Sequence, residues 1–361
     1  MNARRAVAVA LMVIAAGAMI QPAAATPIKW LAVQLGTHRF GHPSKPDAIV
    51  ARAGAQDVGF ECGKPSACAP EGTPGDGCGC IDTLPQGPTS FDLGRDGSIW
   101  LFDGVKHRLL MWQRGRLAGP ARSVPLPSDV HESDFAVSRD GTIYVFGGNV
   151  HGRPYLAMYA LTHTGRIRWK AATTVASGQA RLLLAWDGTV YAVSPSSSPT
   201  WSPLTTTAGR PLPLAAQRQR SSQLQPLTRD LRLLATQVSQ HEAHFALIDG
   251  AHKVVRAWRV TSRTSLGFTH LAPAVVGGDL VVGLDVSQQV KGSFRWETLI
   301  LRLGSSGGTS RQLALDARAA WDPDGTTAGT TLRVGPDGRL YQLRTDPKTG
   351  VSIARYSLGR S

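Results

Sequence analysis

Two short stretches concentrate the side chains able to hold a metal or move a proton: His131-Glu132-Ser133 and His241-Glu242-Ala243-His244. Neutral imidazole and carboxylate converging on one point bind zinc, calcium or another divalent ion. A bound ion can polarise a carbonyl or generate hydroxide for ester or lactone hydrolysis. The expected metal set is therefore His131, Glu132, His241 and His244, for one divalent ion, the one cofactor the sequence suggests. His107, His151, His270, Asp134 and Asp285 fall at comparable places along the chain. His151, Trp296 and Trp321 are expected ligand contacts, the tryptophans as stacking surfaces for a sugar. The tetrapeptide at 241–244 lacks the helical His-Glu-x-x-His spacing of metalloproteases. Nor does the chain carry a Gly-x-Ser-x-Gly elbow, a Walker loop or a dinucleotide-binding glycine pattern.

The elements that must position these residues repeat. "SFDLGRDGSIWLFD" (90–103) reads as an apolar run, an Asp-Gly turn and a second apolar run. Its relatives are "DFAVSRDGTIYVFGG" (134–148), "ARLLLAWDGTVYAVSP" (180–195), "PLTRDLRLLATQV" (226–238), "LAPAVVGGDLVVGLDV" (271–286) and "TTLRVGPDGRLYQLRT" (330–345). Their turns fall at Asp96, Asp140, Asp187, Asp230, Gly278 and Asp337, at intervals of 44, 47, 43, 48 and 59 residues. A third apolar run follows each hairpin, and a fourth usually follows that. Units of roughly 40–50 residues built from four short strands are the signature of propeller blades. The second runs, such as "SIWLF" and "TIYVF", are almost continuously apolar, as expected of strands covered on both faces. The predicted fold is all-β, a six-bladed β-propeller over 87–361. Trp100, Trp112, Trp169 and Trp258 are expected to pack between blades.

"LPQGPTSFDLGRDGSIWLFDGVKHRLLMWQRG" (84–115) resembles an NHL-type propeller repeat. Asp92, Asp96-Gly97, "IWLFD" and His107-Arg108 occupy the corresponding places, and the other units match at the hairpin and third strand. The resemblance implies a six-bladed ring of the NHL, regucalcin-like and lactonase-like group. That group holds both enzymes and binding scaffolds, so it leaves the choice between catalysis and binding open. A quinone-dependent dehydrogenase fits less well, because such rings usually have more blades and this chain has no repeated tryptophan-docking pattern.

The ends complete the expectations. Arg4-Arg5, the apolar stretch 6–20 and "AAA" at 23–25 read as a signal peptide, residues 1–25, cleaved after Ala25. The protein is then exported, periplasmic or extracellular, with no transmembrane span. Residues 26–86 are expected to supply a strand that closes the ring, from "IKWLAVQLG" or "DAIVARAG", plus a Cys-rich insertion. Cys62, Cys68, Cys78 and Cys80 form an even set in an exported chain, which points to disulfides rather than zinc. Two pairings suit the spacing, 62–78 with 68–80 or 62–80 with 68–78. Either would staple a lid over one end of the ring.

Losing Arg4 and Arg5 takes the formal charge from +14 to +12. The positive residues are scattered singly, which argues against a specific nucleic-acid site. The function expected first is an exported, monomeric binding module that presents a loop face to a protein or cell-envelope polymer. The alternative is a metal-assisted hydrolase or lyase at the mouth of the channel.

Overall fold

The computed structural model describes residues 28–60, 87–114, 117, 119–130, 134–149, 155–176, 181–194, 200–268, 272–290, 293–307, 309–315, 331–346 and 348–359. The expected signal peptide, the four cysteines, His131, Glu132, His151, His270 and Trp321 lie outside the described residues. Six sheets follow one another along the chain. Blade one holds β3 (Ser90–Leu93), β4 (Ile99–Asp103), β5 (Arg108–Trp112) and β6 (Arg122–Pro125). Blade two holds β7 (Phe135–Val137), β8 (Ile143–Asn149), β9 (Tyr155–Leu161) and β10 (Ile167–Ala176). Blade three has three strands, β11 (Arg181–Leu184), β12 (Val190–Ser194) and β13 (Thr200–Pro203).

Blade four runs through β14 (Leu224–Pro226), β15 (Leu231–Ser239), β16 (Glu242–Asp249) and β17 (Val254–Ser262). In blade five, β18 (Ser265–Gly267) and β19 (Ala274–Val276) both pair with β20 (Asp279–Val290). The blade continues through β21 (Ser293–Leu303) and β22 (Thr309–Leu315). Blade six holds β23 (Leu332–Val334), β24 (Leu340–Asp346) and β25 (Gly350–Tyr356).

The same turn joins the first two strands of blades one, two, three and six. A glycine of positive φ closes it: Gly97 at 83°, Gly141 at 77°, Gly188 at 89° and Gly338 at 70°. Each turn aspartate folds back on its own loop. Asp96, Asp140, Asp187 and Asp337 accept the backbone N–H two residues on, from Ser98, Thr142, Thr189 and Arg339. This is the Asx-turn preference that makes Asp-Gly a turn signal. Partial burial raises the Asp140 pKa, but hydrogen bonds from Ser138, Thr142 and Arg168 outweigh it and hold the carboxyl at about 2.

Packing between blades accounts for the apolar second strands. All five residues of β4 are buried. Trp112 and Trp258 are almost wholly covered, and Trp100 nearly so. Each fully buried side chain of this kind contributes roughly 1.5–3 kcal/mol. Cores of this sort fill the seams between blades one and two, two and three, four and five, five and six, and six and one. The remaining cluster, Ala246, Ile248 and Ala257 with Leu224, Leu234 and Val254, comes from blade four alone. Among the described residues, no mixed cluster spans the seam between blades three and four.

Blade three departs from the expectation that a fourth strand usually follows the third, at "TTAGRPLPL" (206–214). That stretch makes a single bridge, Thr205 to Pro211, and leads into a short helix, α1 (Leu214–Gln219). Gln217 explains why a helix suffices there. Its buried amide accepts from Thr174 N–H and donates to Ala172 and Leu212 carbonyls, tying α1 to β10.

Both candidate closing segments form strands, on different blades. β1 (Trp30–Leu35) lies parallel to β17 at the outer edge of blade four. β2 (Ala48–Ala53) pairs antiparallel with β25 as the outer strand of blade six. The intervening chain crosses blade five, where Gly41 N–H and His38 Nε2 both meet the Glu297 carboxylate and Ser44 pairs with Ala314. Beyond β2 it reaches blade one. There the fully buried Asp103 accepts from Gly59 N–H at 3.0 Å and Arg108 Nε at 3.1 Å. Residues 30–59 thus form a belt over four consecutive blades.

Asp103 anchors that belt at blade one, so Asp103→Ala should strand the buried Gly59 N–H and leave Arg108 with the Asp57 carbonyl but no anion. Urea unfolding is expected to show a loss of about 2–4 kcal/mol. A loss below about 0.5 kcal/mol would mean the belt contributes nothing at this end.

Candidate functional site

The inner strands surround a cavity of about 440 Å³ on the ring axis, lined by residues from all six blades. Its walls are mostly apolar, with Leu182, Leu184, Leu227, Phe268 and Val334 prominent. The charged side chains of the lining are one aspartate, Asp92, and three arginines, Arg95, Arg181 and Arg333. The lining reaches the turns between first and second strands, where exposed Arg95, Trp186 and Pro336 form a rim. Arg95 Nη2 donates to the Trp186 carbonyl at 3.0 Å, joining blades one and three across that rim.

Two carboxylates on the inner strands bind each blade to the next. Asp92 Oδ2 accepts the Val137 N–H at 2.8 Å, and Asp134 Oδ2 accepts the Leu182 N–H at 2.9 Å. The separations, 45 and 48 residues, match one repeat. Asp92 Oδ1 takes the Leu93 N–H and faces Arg333 Nε at 3.3 Å. Burial pushes the Asp92 carboxyl up, prevailing over Arg333 and the two backbone N–H groups that favour its charged form. Arg333 also extends over the axis, with Nη2 donating to the Leu182 carbonyl of the opposite blade at 3.4 Å.

The residues expected to hold a metal are placed as follows. His241 is exposed in the turn between β15 and β16, and Glu242 and His244 lie at the start of β16. Glu242 is already engaged, by His244 Nε2 at 2.7 Å and by Arg259 through both oxygens. Those contacts lower its pKa, Arg259 contributing most. Trp30 of β1 packs against the His244 ring, centroids 4.4 Å apart and the planes tilted by 35°. Among the described residues no group of three or more His, Cys, Asp or Glu could hold a metal ion. Trp296 lies on β21 opposite Ser287. His107 sits in the turn between β4 and β5, its ring against the Val130 carbonyl, and Asp285 accepts from Thr298.

The cavity's own polar residues, Arg181, Gln225 and Arg333, were not among the candidates read from the sequence. Their common signal was position on the first strand of a repeat, which faces the axis in a propeller.

No protein-family model and no curated protein matches this chain. Solved structures similar to it include a streptogramin B lyase, at 11% identity and TM-score 0.39, covering 76% of this chain and 95% of that one. Virginiamycin B lyase from Staphylococcus aureus is 10% identical with TM-score 0.39, covering 74% and 94%. The PQQ-bound aldose sugar dehydrogenase of Streptomyces coelicolor is 12% identical with TM-score 0.42, covering 87% and 99%. At such values the class is defined by the six sheets themselves. The chain is an all-β, six-bladed β-propeller, the architecture of NHL- and regucalcin-like rings. Among the described residues no helix is long and apolar enough to cross a membrane.

Replacing Arg333 by Leu should remove the cation that faces Asp92 and push its carboxyl further above 3.8, its ordinary value. Because a raised pKa penalises the charged form, the lost stability should be about 2–3 kcal/mol at pH 7 and should shrink below pH 4, where Asp92 is protonated folded or unfolded. Carboxyl-carbon NMR titration with unfolding at both pH values checks this. A variant whose Asp92 titrates as in the wild type would dissociate the pair from the shift.

Proposed function

We propose that this is an exported binding module whose ring is closed by β2 and whose ligand seats in the axial cavity. The ligand is a small molecule, or a side group of a protein or cell-envelope polymer presented to the rim. One observation carries this reading: a cavity of about 440 Å³, apolar in its walls, into which a few polar groups from several blades converge. Small-molecule sites have this size and composition, roughly 300–1,000 Å³ with a small number of placed polar groups. A folded domain could not enter, so a macromolecular ligand engages through one inserted group. The described lining offers hydrogen bonds and charge, with no His, Ser or Cys beside an acid or base. The export half of the reading rests on Arg4-Arg5, the apolar stretch 6–20 and the small residues at 23–25.

Ala274, half-buried in the cavity wall, is the position at which to fill it. Native mass spectrometry of protein recovered from outside the cytoplasm should show a mature chain beginning at Thr26 with a bound small molecule. Ala274→Phe should reduce that occupancy at least tenfold while the melting temperature stays within a few degrees. Unchanged occupancy in the filled variant would remove the cavity from the reading, and a chain retaining residues 1–25 would remove export.

A further inference from the structure

Two hydrogen-bonding groups on residues that line the cavity, Gln225 and Arg333, specify the chemistry of what fills it, if the axial-cavity reading holds. Gln225 is 2% exposed, and its Oε1 has no hydrogen-bond partner among the described residues. A buried amide oxygen left without a donor costs about 1–3 kcal/mol, so a ligand that supplies one recovers that loss. The second group is on Arg333. Its Nε faces Asp92 and the Phe91 carbonyl, and its Nη2 faces Leu182. Nη1 has no partner among the described residues. Arg333 lies in a wall whose charged residues are three arginines to one aspartate.

We propose that the cavity binds an acidic amphiphile that carries a hydroxyl or N–H near its anionic group, such as an N-acyl amino acid or a hydroxy acid. The carboxylate meets Arg333 Nη1, the N–H or O–H donates to Gln225 Oε1, and the apolar tail lies against Leu182, Leu227 and Phe268. A carboxylate suits the site better than a phosphate monoester. Asp92, 3.3 Å from the same guanidinium, repels a dianion more strongly than a monoanion. An ionised acceptor on arginine also forms the stronger class of hydrogen bond.

The test is calorimetric titration of the mature protein with four probes: N-octanoylglycine, its neutral glycinamide, octanoate and octyl phosphate. N-octanoylglycine is expected to bind at least tenfold more tightly than the glycinamide, and several-fold more tightly than octanoate. Gln225→Leu should erase the second preference and keep the first, and Ala274→Phe should abolish both. Arg333→Lys, which retains the charge, guards against a folding failure and should keep the anion preference. Equal binding of the glycinamide, still blocked by Ala274→Phe, would overturn the anion assignment and leave the cavity reading standing. Octyl phosphate binding more tightly than N-octanoylglycine would overturn the choice of carboxylate. No binding by any probe at millimolar concentration would overturn both the assignment and the cavity reading.

Discussion

The inner strand of every blade has a neighbour on one side only, and its free edge faces the axis rather than bulk water. Backbone N–H groups on that edge must find acceptors or lose stability. Asp92 and Asp134 solve this by reaching from one blade to the next, accepting the N–H of Val137 and of Leu182. The solution places the Asp92 carboxylate in the wall of the axial cavity, where burial opposes its charge. Arg333 answers that burden at Asp92 and, by extending to Leu182, connects blade six to blades one and three. The polarity of the axial cavity therefore begins as a requirement of the fold. Ligand chemistry is superimposed on groups the ring already needed.

Stability is distributed unevenly around this centre. Five seams have mixed apolar cores, and the belt of residues 30–59 overlies blades four, five, six and one. Val33 and Leu35 of β1 join the core between blades four and five, and Ala51 and Ala53 of β2 join that between six and one. The belt thus reinforces the junction where the first and last blades meet. Among the described residues, the seam between blades three and four has neither belt nor mixed core. Blade three has α1 in place of a fourth strand and shares its apolar core with blade two. Three of the cavity's lining leucines, Leu182, Leu183 and Leu184, belong to blade three.

The repeat was legible because its markers are local. Asp-Gly at 96–97, 140–141, 187–188 and 337–338 specifies a turn whose side-chain and backbone bonds close within five residues. Continuous apolar runs then imply two-sided burial wherever the turn places them. Blade three's outer edge was not legible, since "TTAGRPLPL" has strand-like length and the decisive contact is made by Gln217, far along the chain from its partners in β10. The two N-terminal strands were visible as strands, but their partners were not. β1 and β2 pair with segments more than two hundred residues away, and no local pattern encodes that choice.

The site was the least legible part for a related reason. A histidine or glutamate cluster declares itself in sequence, whereas Arg333, Gln225 and Asp92 are ordinary residues on separate repeats. Only closure of the ring brings residues 92, 181, 225 and 333 to one axis. The conspicuous tetrapeptide at 241–244 shows the converse. Its Glu242 is taken up by His244 and Arg259 on the blade's outer strands, with Trp30 of the belt packed against His244. In a ring of repeats, chemistry that looks concentrated in sequence can be spent on holding an edge. Groups dispersed at the repeat period are the ones that symmetry gathers at the centre.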